Sequence, residues 1–394
     1  MSELSGMKKI LLAIFFTFYF SFFTFHFLSA QTDTTIRTRI SLLTCAPGGE
    51  LYATFGHTAL RIIDSIHQTD MVFNYGTFDF DDPHFYTKFV RGKLEYFLSF
   101  EPIQNFLYGY QLENRSVWEQ ELLLTNQEKR NIVQAIQTNL TGNNRYYKYD
   151  FLNDNCTSRV KDMLTQYAGL NVAHPLVKEG TTYRGMLHRY LDAAHMPWSK
   201  LGIDILLGSP SDKKVTIEES MFLPDYLMKA VDSSIHTSKP ILQQKNTLFT
   251  AQDVILSDNR YQPLVVFSLV WFCTAILYSS KKKLAKKITP FIHSLFLYIS
   301  GFMGIVLLFM WLGTDHKAFG PNYNLAWALP TNAIAAFFVW RKPIWLKKYC
   351  RFTSWVYLLL LACWFILPQQ FNIALFAFTV TLLTTNVSIV RSSI

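Results

Sequence analysis

The last third of the chain constrains its architecture most. Five apolar stretches follow one another at about 262–279, 291–312, 323–340, 353–368 and 371–390. Each approaches the ~20 residues that span ~30 Å of hydrocarbon. Inside a bilayer a single segment satisfies its own backbone polar groups only as a helix. Residues 259–394 therefore read as an all-α transmembrane domain of five helices. These stretches hold almost no ionisable side chain, which argues against an ion or proton pathway through them.

Charge gives the orientation. The chain carries a net +9, which invites a nucleic-acid reading, but the excess is confined. From Tyr261 onward there are twelve Lys and Arg against one acid, Asp315, whereas the first 260 residues hold 25 bases against 27 acids. Ten of those twelve bases fall in two links between apolar stretches: five lysines within 281–287, and Arg341, Lys342, Lys347, Lys348 and Arg351. The other two links are nearly uncharged. This is the positive-inside pattern of a multi-pass membrane protein and not a phosphate-binding face, so no nucleic-acid partner is expected. It places both basic links in the cytoplasm and the region before residue 259 outside. The N-terminus agrees: Lys8 and Lys9 precede the apolar run Ile10–Leu28, and Leu28-Ser29-Ala30 fits a cleavage site. Residues 1–30 read as a secretory signal, with an uncleaved anchor as the alternative. Together these features predict a bacterial inner-membrane protein with a periplasmic domain over 31–258.

That domain reads as α+β. Strand-like runs occur at Thr38–Leu43, Thr58–Ile63, Met71–Tyr75 and Val117–Leu124, with a further one at Tyr146–Phe151. Thr125 and Glu128 form a capping box ahead of Ile132, Ile136 and Leu140, which predicts a helix over 126–140. Val160, Met163 and Leu164 predict another from Cys156 to Tyr167, and residues 180–235 read as further helices. Of five cysteines only Cys45 and Cys156 lie in this domain. They could form one disulfide at most, so the domain is no disulfide scaffold. No Cys/His cluster has zinc spacing, and no metal is expected.

Three stretches carry potential chemistry: Gly56-His57-Thr58-Ala59-Leu60-Arg61, Asn74-Tyr75-Gly76-Thr77-Phe78, and Asn153-Asp154-Asn155-Cys156-Thr157-Ser158-Arg159. Cys156 opens a predicted helix, where unpaired N–H groups and the positive dipole end favour a thiolate. It also fits a small buried apolar residue. His57, after a glycine at a strand start, can serve as the base such a nucleophile requires, or can be an ordinary satisfied histidine. Asn74 on the following strand can orient His57 if the two runs pair, or can be an edge-strand residue. Arg61 and Arg159 suit an anionic headgroup, with ion pairs to Asp154 or Glu50 as the alternative, and Tyr75 joins them as a substrate-binding candidate. Cys45, after an apolar strand, reads as structural. A Cys45–Cys156 disulfide would exclude the nucleophile reading.

In these motifs, in their order and in the five-span tail, the chain resembles the Lnb lipoprotein N-acyltransferase family. The His-before-Cys order is also similar to the circularly permuted NlpC/papain-like superfamily that includes lecithin:retinol acyltransferase-type enzymes. The resemblance implies a permuted papain-like periplasmic domain with catalytic Cys156, His57 and Asn74, although that superfamily often has His at the third position. It implies transfer of an acyl chain from a membrane phospholipid, through a Cys156 thioester, to the α-amine of the lipidated N-terminal cysteine of diacylated lipoproteins, with no cofactor. Two other readings stay open on the residues alone: a membrane-anchored cysteine amidase or peptidase acting on cell-wall peptides, and a non-enzymatic periplasmic sensing or assembly module.

Overall fold

The computed structural model describes residues 38–50, 53–252 and 262–392. The signal at 1–30 and most of the junction near residue 258 lie outside these residues. The N-terminal part is built on one seven-stranded sheet: β1 (Thr38–Cys45), β2 (His57–Asp64), β3 (Thr69–Thr77), β4 (Glu95–Pro102), β5 (Val117–Leu122), β6 (Tyr146–Lys148) and β7 (Leu242–Phe249). The strand order is β6-β4-β3-β2-β1-β5-β7, and every pair is antiparallel.

Strand alternation sends side chains to opposite faces, and both faces of the central strands are covered. On one face Ile40, Leu42 and Leu60 pack with Ile132, Ile136, Val160 and Leu164. On the other, Leu43, Ala59 and Val72 pack with Ile103 and Phe106. The helices involved follow α1 (Phe85–Val90): α2 (Ile103–Leu112), α3 (Asn126–Leu140) and α4 (Cys156–Ala168). Helix α3 has its expected bounds and capping box, with Thr125 Oγ1 accepting from Glu128 N–H. Three longer helices follow, α5 (Tyr183–Ala193), α6 (Pro197–Leu206) and α7 (Pro224–Ser233), with a single helical turn at Ile217–Ser220 between the last two. The α+β expectation is borne out, with a helical domain following.

That helical domain contains α8 (Gln262–Ser279), α9 (Lys283–Leu312), α10 (Thr331–Phe337), α11 (Ile344–Ala362) and α12 (Ala374–Arg391). Among the described residues, three helices, α8, α9 and α12, are long and apolar enough to cross a membrane. The stretch expected as a third regular span differs. It forms a short 3₁₀ turn at Tyr323–Ala326 and then the seven-residue α10. Its irregular backbone is held by protein. Asn324 Nδ2 donates to the carbonyls of Asp204 and Ile205, at 3.0 and 3.1 Å, and Asn324 Oδ1 accepts from Trp327 Nε1 at 2.8 Å. It also presses onto α9 at Gly304, where any Cβ would collide with the Ala328 carbonyl. Its backbone polar groups thus find partners within the protein. The fourth stretch is also displaced: α11 begins at Ile344, directly after Pro343, and ends before residue 368.

The two parts are joined by a buried polar cluster. Arg184 on α5 is fully buried and bonds Asp204 Oδ1 (3.0 Å) and Asp212 Oδ1 (2.9 Å). Asp204 also accepts from Asn372 Nδ2 at 2.9 Å, just ahead of α12. Leu201 of α6 lies in one apolar cluster with Phe296, Trp327 and Leu360 of the helical domain.

Candidate active site

β1 ends, β2 begins and β3 ends at the same end of the sheet, because the strands are antiparallel and Cys45 pairs with His57. Helix α4 starts against that end. Its N-cap is Asn155, whose Oδ1 accepts from the N–H groups of Thr157 and Ser158, both at 2.8 Å. The Asn155 amide nitrogen is itself anchored to the carbonyls of Phe151 and Phe222. The cap therefore fixes Cys156 as the first helical residue. Gly76 makes room for it. This residue has φ +89°, and a Cβ built on it would lie 3.4 Å from Cys156 Cβ. The register of β3 against β4 shifts between Asn74 and Thr77, around the same glycine.

His57 and Cys156 are both partly exposed and interact directly. Burial opposes a charged thiolate, but the His57 ring, its hydrogen bond, the Thr58 main-chain N–H and the Thr157 hydroxyl outweigh it and lower the Cys156 thiol below the usual range. For His57, burial opposes the charged ring, and Cys156 together with Asn74 raises it above the ordinary imidazole value. These shifts favour a thiolate–imidazolium pair, the reactive form of a cysteine nucleophile. Thr58 Oγ1 and Thr157 Oγ1, 3.0 Å apart, tie β2 to α4 beside the pair.

Asn74 lies 3.1 Å through Oδ1 from His57 Nε2, and its Nδ2 donates to Glu101 Oε1 at 3.2 Å. The carboxylate can only accept, so the amide nitrogen must face Glu101 and the oxygen must face His57. That oxygen in turn requires a proton on Nε2, which leaves Nδ1 free to exchange one with the thiol. Burial raises the Glu101 carboxyl, while Asn74 and His57 act to lower it.

The structure thus brings together His57, Asn74 and Cys156 of the residues singled out in the sequence. The other three have internal partners in the structure. Arg61 is held by both oxygens of Asp70 (2.8 and 2.6 Å) and by Glu119 (2.9 Å), so its guanidinium is already neutralised. Tyr75 is buried in the main core, with its hydroxyl accepting from Asn139 at 2.6 Å. Arg159 is bidentate to Asp154 (2.7 and 2.8 Å) and lies over the Tyr147 ring at 3.6 Å. These are internal roles, and none of the three offers an uncommitted charge or hydroxyl to a headgroup. No disulfide joins Cys45 to Cys156: both are free thiols. Cys45 is fully buried, and burial pushes its thiol up to about 12, the opposite of activation. Sequence reasoning passes over Glu101, which sits in a strand with no local motif, and over Tyr149, whose ring edge lies 3.7 Å from the Cβ position of Gly76.

An α+β domain with a Cys–His–Asn constellation at a sheet end, seated on a helical domain with membrane-length helices, defines the class of protein: a membrane protein whose α+β domain carries a candidate thiol site. Residues 27–189 match the Lnb N-terminal periplasmic domain and residues 256–393 match the Lnb transmembrane domain. The chain belongs to the Lnb family. No curated protein and no solved structure matches it.

Proposed function

We propose that the protein is a lipoprotein N-acyltransferase of the bacterial inner membrane, multi-pass, with Cys156 as nucleophile on the periplasmic side. The observation that carries this reading is the Cys156–His57 pair, with its lowered thiol and raised imidazole, in a domain docked on membrane helices. In the first half-reaction the thiolate attacks an ester carbonyl of a phospholipid. The developing oxyanion needs a preorganised donor. The Thr157 and Ser158 N–H groups are occupied by Asn155, so the Cys156 N–H is the first helix amide that can serve. The tetrahedral adduct collapses, the lysophospholipid alkoxide leaves with the proton from His57, and a Cys156 thioester remains. In the second half-reaction the α-amine of a diacylated lipoprotein's N-terminal cysteine attacks the thioester. His57 accepts the amine proton, an amide forms, and the Cys156 thiolate is regenerated. Asn74 holds the His57 ring through both steps.

The test is to incubate the full-length protein, in phosphatidylethanolamine nanodiscs, with acyl-labelled phospholipid. A hydroxylamine-labile label on Cys156, absent from Cys156→Ser and discharged by a diacylated lipopeptide, is the expected result. A protein that never acquires the label, yet cleaves peptide amide bonds, would instead be an amidase.

A further inference from the structure

Helix α1 is apolar yet has no buried residue. Tyr86 is 80 % exposed, Phe80 67 %, Phe89 50 % and Val90 43 %. Phe85 packs against the main core, but Phe80 ahead of the helix and Tyr86, Phe89 and Val90 on it remain exposed as one apolar cluster, which points to an external apolar phase. Its position identifies that phase. The segment is fastened to the loop immediately beyond α9. Asp315 N–H donates to the Arg91 carbonyl at 2.9 Å, and the His316 ring lies 3.1 Å through Nε2 from the Phe89 carbonyl. A Cβ built on Gly92 would lie 3.2 and 3.3 Å from the main chain of the same two residues, so this turn is fitted closely to the loop. Helix α9 reaches this loop with Leu312 70 % exposed, so exposed apolar surface continues from that membrane-length helix onto α1. Exposed cations, Arg91, Lys93, Lys148 and Lys317, surround the junction. Aromatic side chains flanked by Lys and Arg at the end of a span are the pattern that settles at the headgroup boundary.

The same segment leads inward. Phe85 meets Phe78 at a ring separation of 5.7 Å, Phe78 meets Tyr96 at 5.3 Å, and Tyr96 stacks on Tyr149 at 4.5 Å. Tyr149 and Cys156 both close on Gly76, at 3.7 and 3.4 Å from its Cβ position. A series of rings, passing through the main core at Tyr96, therefore links the exposed helix to Gly76 beside Cys156.

We propose that residues 78–90 form the lipid-docking edge of the outer domain, and that an acyl chain of an outer-leaflet phospholipid enters over Tyr86 and Phe89 and lies along Phe85, Phe78, Tyr96 and Tyr149 to reach Cys156. This rests on the acyl-transfer reading and on its topology, and supplies the route of the donor chain.

The test uses the full-length Cys156→Ser protein in phosphatidylethanolamine/phosphatidylglycerol nanodiscs doped with a phospholipid carrying a diazirine near the end of one acyl chain. After irradiation, adducts are mapped by mass spectrometry. Adducts on residues 78–90 are expected, and none on the exposed Lys239. That residue lies on the hairpin packed at Gly169, past the opposite end of α4. Adducts confined to the membrane helices overturn the proposal. In a second arm, Tyr86→Ser/Phe89→Ser is expected to cut labelling of Cys156 from bilayer phospholipid by about tenfold or more, since apolar insertion area is removed. Iodoacetamide alkylation of Cys156 checks that the variant's site is folded. Undiminished acyl labelling overturns the route. The arms separate the two readings: an unmodified protein that takes no acyl label but crosslinks at 78–90 refutes acyl transfer and keeps the lipid edge.

Discussion

The side-chain amide of Asn74 donates from Nδ2 to Glu101 Oε1 across 3.2 Å, on the side away from His57. Without that acceptor the Asn74 amide is free to flip, and a flipped amide would present a donor to His57 and favour the wrong tautomer. Glu101→Leu should therefore slow acyl loading of Cys156 by roughly tenfold, within the range for loss of a residue that orients a catalytic group. Glu101→Gln retains a carbonyl that can accept from Asn74 and should restore most of the rate. A purely structural role for Glu101 would not distinguish these substitutions by loading rate at equal thermal stability, so equal rates for the two would reject the relay.

The coupled shifts of Cys156 and His57 set a pH signature. Lowering the thiol from 9.0 extends the thiolate to lower pH, and raising the imidazole from 6.5 extends the imidazolium to higher pH. The two therefore coexist over a wider window than unperturbed groups would. The rate of Cys156 alkylation by iodoacetamide should rise with pH at values below 9.0, and in His57→Ala this rise should move up toward that value. Cys45, buried and pushed up to about 12, should stay unlabelled throughout. An unchanged profile in His57→Ala would sink the ion-pair assignment.

What the sequence discloses of this site depends on how local the determinant is. Helix α3 is legible to the residue because Thr125 and Glu128 write its cap within four positions. The starts of β2 and α4, and with them His57 and Cys156, are legible for the same reason: a glycine and an Asn cap precede them. Glu101 is not, because its meaning arises only when β4 pairs with β3 and sets it diagonally across from Asn74. Arg61 misleads because its counter-charges, Asp70 and Glu119, come from two other strands. In the membrane part, hydropathy registers the apolar residues of 323–340 but not the hydrogen bonds of Asn324, which favour a held loop over a continuous helix.

Gly76 gives a third prediction. At φ +89° a side chain costs roughly 1–2 kcal/mol in backbone strain. A methyl there would also stand 3.4 Å from Cys156 Cβ, between β3 and the start of α4. Gly76→Ala should lower the melting temperature modestly and depress Cys156 alkylation and acyl loading more than that stability loss accounts for. A variant that is less stable but fully reactive would show that the glycine serves the turn alone.

The cluster joining the two domains makes the last prediction. Arg184 is fully buried, and Asp204 gathers its guanidinium, the His188 ring at 2.7 Å and Asn372 at 2.9 Å. Removing one partner of a buried ion pair leaves the other uncompensated, at a cost of about 3–5 kcal/mol. Asp204→Ala should therefore destabilise the junction far more than substitution of an exposed pair such as Lys245–Asp232. The pH sign follows from the carboxyl. Burial opposes its ionisation, but His188, Arg184 and Asn372 prevail and hold it below 3.8. A group depressed on folding stabilises above its unfolded value and loses that contribution as pH falls through its folded one. Thermal unfolding of the full-length protein in nanodiscs should thus show an acid loss of stability below about pH 4 that Asp204→Ala largely removes, together with easier proteolysis near residues 207–212. If the acid limb is the same in the variant, the junction is held by the apolar packing of Leu201 against Phe296 and Trp327 instead, and the cluster only sets its register.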